Sequence, residues 1–242
     1  MKLLDLTLPS PAENLACDEA LLDACEVGAG EEVLRFWESP TPFVVVGYAN
    51  KVAHEVNVAA CAARGIPILR RCSGGGTVVQ GPGCLNYALI LRMVEDAPTH
   101  NISAANRFIM ERHRAALESA ICNPQSAIQV QGHTDLTING LKFSGNSQRR
   151  RRQFLLFHGT FLLNFDLPLV SKLLRMPSKE PDYRASRTHQ EFLTNLNCSA
   201  EAVKAALQRA WGATPADLRT PPSKLRTLVE KYSTADWNWK FW

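Results

Sequence analysis

The sequence has no CxxC pair, although it carries seven cysteines, at positions 17, 25, 61, 72, 84, 122 and 198. An odd count without paired spacing argues against a disulfide scaffold or a zinc ribbon and in favour of a reducing compartment. Apolar runs of about 18 residues are also missing, so no membrane span is expected, and the opening MKLLDLTLPSP is too short in apolar residues for a signal peptide. A cytoplasmic location is the resulting expectation. A large charge of one sign is absent too. The net charge is +4, which by itself indicates no nucleic-acid partner. There is no internal repeat and no low-complexity tract. What is present is 242 residues, 45% hydrophobic and 21% charged, enough for one large α/β domain over 1–242.

The pattern predicts a mixed, largely antiparallel sheet flanked by helices. Ser10-Pro11-Ala12-Glu13 is a capping box with proline at the first helical position, so a helix runs to about Cys25. VLRFWE and PFVVVGYA have strand composition, the second apolar enough to be central. Asn57 and Gly65 bracket a short helix, and IPILRR follows as a strand. TVVQ and LNYALILRM, on either side of Gly81-Pro82-Gly83, read as an antiparallel pair. A helix covers Ser103 to Ile121 with Ala105, Phe108, Ile109, Ala116 and Ile121 on one side. Asp135–Ile138 and Leu141–Ser144 are joined by Asn139-Gly140, the strongest two-residue hairpin signal, and a long strand begins at Phe154. A short helix follows from Pro168. Ser199 caps a helix ended by Gly212, and Pro221-Pro222-Ser223 starts the last helix, with Leu225, Leu228, Val229 and Tyr232 in register.

Residues 69–87, LRRCSGGGTVVQGPGCLNY, carry the strongest chemical signal. Three glycines, Gly74 to Gly76, run directly into Thr77, Val78 and Val79. Successive unencumbered N–H groups in such a turn form an anion-binding concavity, and Arg70 or Arg71 supplies a planar cation. A Walker loop needs a Lys-Ser/Thr pair after Gly76 and a dinucleotide fingerprint needs glycine where Val79 stands, so neither signature fits. A plain glycine-rich corner with a solvated arginine pair is the structural alternative.

Lys142 lies in LKFSG just after the hairpin turn, sharing a face with Ser144 and opposing Leu141 and Phe143. It is either a solvated edge-strand charge or the cation of a binding site. The run Arg149 to Arg152 is either a solvated tip or a docking patch for an acidic partner. MPSKEPDYRASRTHQ has the composition of a long loop, of the kind that is more often functional or mobile than inert.

RRCSGGGTVV, GHTDLTINGLKFSGNSQ and HGTFLLNFDL, in that order, resemble the lipoate-protein ligase family, relatives of the biotin ligases. NLACDEALL, VVVGYANKVAHEVN and DWNWKF extend the resemblance over nearly the whole chain. It implies a fold akin to class II aminoacyl-tRNA synthetases and biotin ligases. The implied activity is ATP-dependent: lipoate attacks the α-phosphate of Mg-ATP to give lipoyl-adenylate, and a lysine of an acceptor then forms the amide. By the resemblance, Arg71 and Gly76, Thr77, Val78 and Val79 contact the nucleotide, while Ser73, Gly74 and Gly75 shape the turn around it. Lys142 reaches both the phosphate and the lipoyl carbonyl as an electrostatic clamp. Arg70 and Gly75 fall on the lipoate side; His158 joins them or is a satisfied sheet histidine, and Asp135 orients Mg2+ or Lys142 or is a local cap after the turn. Val44 to Val46 and Leu162 line an acyl tunnel or simply pack the core. The loop from Ser178 to His189, with Arg184 and Arg187, closes over the adenylate or stays solvated. Implied partners are lipoate or octanoate and an acceptor lipoyl domain or glycine-cleavage H-type protein, with no nucleic acid and no membrane.

Three departures keep rival readings open. Many members of the family have His-Asp where Gln80-Gly81 stands, and the GPG that follows resembles the related octanoyltransferases. Cys84 replaces a residue that is usually not a thiol in the ligases. Larger ligases continue beyond DWNWKFW into an accessory domain, so a separate accessory subunit is one expectation. The first rival is an acyltransferase working through a cysteine thioester without ATP. Its subfamilies place the nucleophile where Gln131-Gly132-His133-Thr134 or Pro177-Ser178-Lys179 occur, and neither segment holds a cysteine. Cys72 and Cys84 remain as candidates. The second rival is a non-catalytic binding subunit of a bipartite enzyme. Biotin is disfavoured because the glycine-arginine run of biotin ligases is missing.

Overall fold

Ser10 and Glu13 cap one another at the start of α1 (Pro11–Val27): the Ser10 hydroxyl accepts from the Glu13 N–H and the Glu13 carboxylate from the Ser10 N–H. Two of the four orphan donors of the first turn are thereby satisfied. The computed structural model describes residues 1–28, 31–120, 127–216 and 222–242. Within them the other helices are α2 (Val52–Glu55), α3 (Val58–Ala63), α4 (Ile102–Ala120), α5 (Leu167–Leu173), α6 (His189–Phe192), α7 (Ala200–Trp211), α8 (Pro222–Ser233) and α9 (Ala235–Asn238). Gly212 ends α7 in the left-handed conformation, φ 58°. The expected positions Ile121, Cys122 and Pro221 lie outside the described residues.

The strands are β1 (Lys2–Asp5), β2 (Val33–Trp37), β3 (Phe43–Val46), β4 (Ile68–Arg70), β5 (Val78–Gln80), β6 (Cys84–Arg92), β7 (Ile128–Gln131), β8 (Asp135–Ile138), β9 (Leu141–Arg150), β10 (Phe154–Leu162) and β11 (Thr214–Pro215). Eight form one sheet in the order β11-β1-β2-β6-β10-β9-β8-β7, and β4-β3-β5 form a second. The large sheet is antiparallel except where β1 runs parallel to β2 and β11. Asn139 and Gly140, at φ 52° and 74°, make the tight β8–β9 turn their residue types predict.

β5 and β6 do not pair with each other, contrary to the reading of TVVQ and LNYALILRM. β5 lies antiparallel to β3, whereas β6 sits between β2 and β10 in the large sheet. Gly81-Pro82-Gly83 is therefore a crossing between sheets. Its backbone is engaged elsewhere: Gly83 N–H donates to Glu38 and the Gly83 carbonyl accepts from Leu163. A glycine corner serves a hairpin and a crossing equally well, and only the partners of the flanking strands distinguish them.

Strand alternation divides the interior. Leu155, Phe157 and Phe161 face one side and pack with Tyr87, with Ile109 and Leu117 of α4 and with Leu207 of α7. Each such buried side chain contributes roughly 2–3 kcal/mol. Phe154 and Leu156 face the other side and join Cys17 and Leu22 of α1. His158, Thr160 and Leu162 share this second parity, so β10 turns polar where the small sheet lies opposite. The polar stretch of β10 is what opens the candidate site.

Candidate active site

Arg71 builds the glycine turn from within. Its guanidinium donates to the carbonyls of Gly74, at 3.1 and 2.5 Å, and Gly76, at 2.7 Å, and to the Ser73 hydroxyl at 3.1 Å. Ser147 of β9 donates to the same Gly74 carbonyl, and the Asn50 amide donates to the Gly75 carbonyl. With the carbonyls held inward, the N–H groups of Gly74, Gly75 and Gly76 donate to no backbone or side-chain acceptor among the described residues. They form a nest suited to an anion. Burial pulls the Arg71 guanidinium down to about 10, so it stays charged at neutral pH. Gly47, which the sequence did not single out, is required here because a Cβ would collide with the Gly75 carbonyl oxygen.

Lys142 sits across from this nest on an interior strand, since β9 lies between β10 and β8. An edge-strand role does not apply. The β8–β9 register passes from Thr137↔Lys142 to Leu136↔Ser144, so Phe143 is an extra residue that bulges β9. A bulge re-aims its neighbours. Phe143 is fully buried in the core while Lys142 and Ser144 both line the cavity. A Cβ on Gly145 would stand 2.8 Å from the Lys142 ammonium, so glycine lets the side chain fold back along its own strand. Lys142 Nζ pairs with Asp135 Oδ1 at 2.9 Å, with the side chains 23% and 13% exposed. Asp135 Oδ2 accepts from the Tyr183 hydroxyl at 2.7 Å.

These groups open onto a cavity of about 770 Å³ between the two sheets, within the usual range for a small-molecule site. Gly75, Gly76, Thr77, Val78 and Val79 line it beside Lys142 and Asp135. Apolar wall comes from Leu15, Val45, Leu162, Val170 and Leu174; Val44 and Val46 instead face the core with Val79 and Cys84. Residues 175–193 lie along the remaining side as a strap, with Arg175, Lys179, Pro181, Asp182 and Arg184 lining the space. The side chains of Arg175 and Lys179 have no ion-pair or hydrogen-bond partner among the described residues, so two cations are free to meet a ligand. Glu55, also lining it, accepts from the Ser178 hydroxyl and backbone N–H, which pins the start of the strap.

His158 lies in the cavity wall, its Nε2 2.5 Å from the Ser73 hydroxyl and its Nδ1 3.8 Å from Asp18 Oδ2. Arg71 donates to the Ser73 hydroxyl from one side and the His158 imidazole meets it from the other, with Asp18 beyond the far ring nitrogen. Asp18 is fixed in turn by Arg35, fully buried, which donates to Asp18 at 2.5 Å and to Asn14 and Leu6. The NLACDEALL segment thus supports the glycine turn from behind. Ser73 itself is 1% exposed and does not line the cavity. Gln80 donates to Thr160, whose hydroxyl donates to Asn86; the Gln80 Oε1 is buried without a partner.

Several expectations are corrected. Arg70 does not reach the cavity. It is 0% exposed and its guanidinium donates to the carbonyls of Gly47, Tyr48, Asn50, Trp237 and Phe241, tying the terminal aromatic segment to the loop after β3. Adjacent residues on a chain leaving a strand point to opposite sides, so of the pair only Arg71 could enter the turn. The basic run 149–152 is not a free tip: Arg150 holds the carbonyls of Thr99 and His100, and Arg151 pairs with Asp23 and Glu19. Cys72 and Cys84 are buried and neither lines the cavity. Burial pushes the Cys72 thiol up to about 12, and Cys84 higher still. Asp135 holds Lys142, one of its two expected partners, and also Tyr183; no cluster of three His, Cys, Asp or Glu suited to a metal occurs among the described residues. The donor set does not fit a protein-built magnesium cage. Gly47, Asp18, Arg175, Lys179 and Tyr183 were missed because their neighbours in space lie tens of residues away.

A mixed-sheet fold enclosing a glycine turn, a facing lysine and a pocket of small-molecule size has the make-up of an α/β enzyme site. The chain belongs to the lipoyl protein ligase A/B catalytic domain family, whose profile matches residues 10–211. It is 27% identical to an octanoyltransferase LipM of Geobacillus kaustophilus, over 95% of this chain and 94% of that one. A bipartite lipoate protein ligase from Thermoplasma acidophilum, studied with its E2 lipoyl domain, shares the fold at TM-score 0.83 and 24% identity, covering 100% of this chain and 96% of that one. A lipoate-protein ligase A crystallised with ATP superposes at TM-score 0.81 with 25% identity, covering 100% and 99%. The chain is thus similar both to ligases and to octanoyltransferases.

Proposed function

We propose that the protein is an ATP-dependent lipoate-protein ligase that makes lipoyl-adenylate and passes the lipoyl group to a lysine of an acceptor domain. The carrying observation is the composition of the cavity: an anion nest and a lysine stand at one pocket, and no thiol lines that pocket among the described residues. A thioester route needs an activated thiolate within reach of the acyl group, and burial keeps Cys72 and Cys84 protonated. Likeness to a ligase crystallised with ATP supports the same reading.

In this mechanism the N–H groups of Gly74 to Gly76 and the Lys142 ammonium receive the triphosphate. The lipoate carboxylate, held against it, forms a bond to the α-phosphorus as pyrophosphate leaves. The acceptor lysine then attacks the carbonyl carbon and AMP departs. Both steps build negative charge beside Lys142 and the nest, where preorganised donors lower the barrier without reorganisation. Mg2+ would enter with the nucleotide, held by phosphate and water as it commonly is. His158 and Leu162 would border the acyl chain. The acceptor is a lipoyl domain or an H-type protein, and a separate accessory subunit accords with the bipartite organisation of the Thermoplasma enzyme. A cytoplasmic setting belongs to this reading; no helix among the described residues is long and apolar enough to cross a membrane.

The octanoyltransferase reading is favoured by one observation, the identity to LipM over nearly the full length of both chains. Lipoate-dependent exchange of pyrophosphate into ATP separates the two. Exchange that falls about 100-fold or more in Lys142→Ala, with an unchanged thermal midpoint, is expected for the ligase. Octanoyl transfer between carrier proteins without ATP, abolished by a cysteine replacement, would instead establish the transferase.

A further inference from the structure

We propose that Tyr183 is a positioning residue for Lys142, acting through Asp135, so that docking of the strap onto the β8–β9 hairpin releases the lysine to the ligand. The inference rests on the reading of Lys142 as the cation that meets the nucleotide. Asp135 stands between the two, with one carboxylate oxygen on the Lys142 ammonium at 2.9 Å and the other on the Tyr183 hydroxyl at 2.7 Å.

The strap is fastened to this hairpin at several points. Arg187 donates to the Gly140 carbonyl at the hairpin turn, and Thr194 N–H donates to the carbonyl of Lys142 itself at 2.9 Å. The Tyr183 ring packs on Phe192 with centroids 5.2 Å apart, and Phe192 lies beside the guanidinium groups of Arg184 and Arg187. Gly132 passes under the same ring. The phenol therefore reaches Asp135 only when the strap is seated. Burial, then the charge of Asp135, raise the Tyr183 phenol far above its ordinary value, so it remains a donor throughout the working pH range.

The physical consequence concerns what Asp135 is left with. A largely buried carboxylate without a donor is costly. If Lys142 were its sole partner, moving the ammonium to a phosphate oxygen would strand that charge. With Tyr183 in place, Asp135 keeps one strong hydrogen bond while Lys142 departs. Tyr183 also takes part of the carboxylate's charge, so the ammonium is bound less tightly in the resting site.

A double-mutant cycle of Tyr183→Phe, Asp135→Asn and the pair tests this in the full-length chain. Tyr183→Phe removes one hydroxyl from a half-buried side chain and keeps the ring and its packing on Phe192, so folding is preserved. Two quantities are read: kcat and KM for ATP in pyrophosphate exchange, and the rate at which limiting acetic anhydride acetylates Lys142 in the native protein, followed by peptide mass spectrometry. Tyr183→Phe should lower kcat/KM for ATP roughly 10-fold, leave the KM for lipoate unchanged, and slow Lys142 acetylation several-fold. In the Asp135→Asn background the same replacement should alter both quantities by less than about twofold. Equal losses in the two backgrounds would reduce Tyr183 to a packing residue and overturn the inference, as would unchanged acetylation in Tyr183→Phe. If the wild-type chain shows no exchange, the ligase reading fails, while the acetylation cycle still decides the coupling.

Discussion

The glycine turn and the strap flank the same cavity, and they are held in opposite ways. The turn is braced from inside: Arg71 is 8% exposed and its donors close on the carbonyls of its own loop. Its charge shapes the backbone first, and the ligand is offered amides. The strap keeps Arg175 and Lys179 facing the cavity, and it is fastened by side chains reaching backbone on neighbouring elements, as Arg187 reaches Gly140. One region is a preformed cradle, and the other is a cover whose position depends on the hairpin beneath it. On the proposed ligase reading, a site that holds two anions in line and then admits a protein lysine is served by having one of each.

Removing the brace should give the largest effect. Arg71→Ala leaves the Gly74 and Gly76 carbonyls without their buried donor, so urea unfolding should show a loss of about 2–4 kcal/mol, and exchange activity should fall with it. Arg71→Lys should not restore the turn, because a point charge cannot span both carbonyls. A normally stable Arg71→Ala protein would break the contrast.

Acid should act most strongly outside both regions, although burial also lowers His189 of the strap. His113, on the far side of the large sheet, accepts from Trp211 through Nε2, and its Nδ1 has no partner. Burial lowers it from 6.5 to about 3, so the unfolded chain binds the proton more readily between those values. Stability contributed by the neutral ring is complete above about pH 6.5 and is lost as pH falls towards 3, about 2 kcal/mol by pH 5. His113→Phe should flatten this slope in denaturant titrations, whereas Arg71, still charged at these pH values, should contribute none of it.

A smaller effect is expected from the strap. Arg187→Ala should cost under about 1 kcal/mol of stability, yet raise the KM for ATP several-fold and speed protease cleavage between Met176 and His189. Unchanged cleavage would mean that the strap is fixed by other contacts. The smallest response belongs to the thiols. With Cys72 held near 12, its alkylation in the native protein at pH 8 should run about 10³-fold slower than that of a free cysteine, and Cys72→Ala and Cys84→Ala should both retain exchange. Loss of activity in either would return the thioester route to contention.

Local signals in the chain determined much of this protein. The capping box at Ser10, the Asn139-Gly140 hairpin, the Gly212 stop and the alternation along β10 each act over a few residues, so composition and spacing sufficed to place those elements. The SGGG turn and Lys142 were legible for the same reason, since both need a particular residue type at one backbone position. Only the tertiary structure decided which arginine of the pair turns inward, that β5 and β6 belong to different sheets, and that Gly47, Asp18 and Tyr183 meet the site. Those outcomes depend on contacts between residues far apart in the chain: Gly47 touches Gly75, Asp18 faces His158, and Tyr183 reaches Asp135. Side-chain direction and sheet membership are set by which surfaces bury one another, a property of the packed chain that no local spacing encodes.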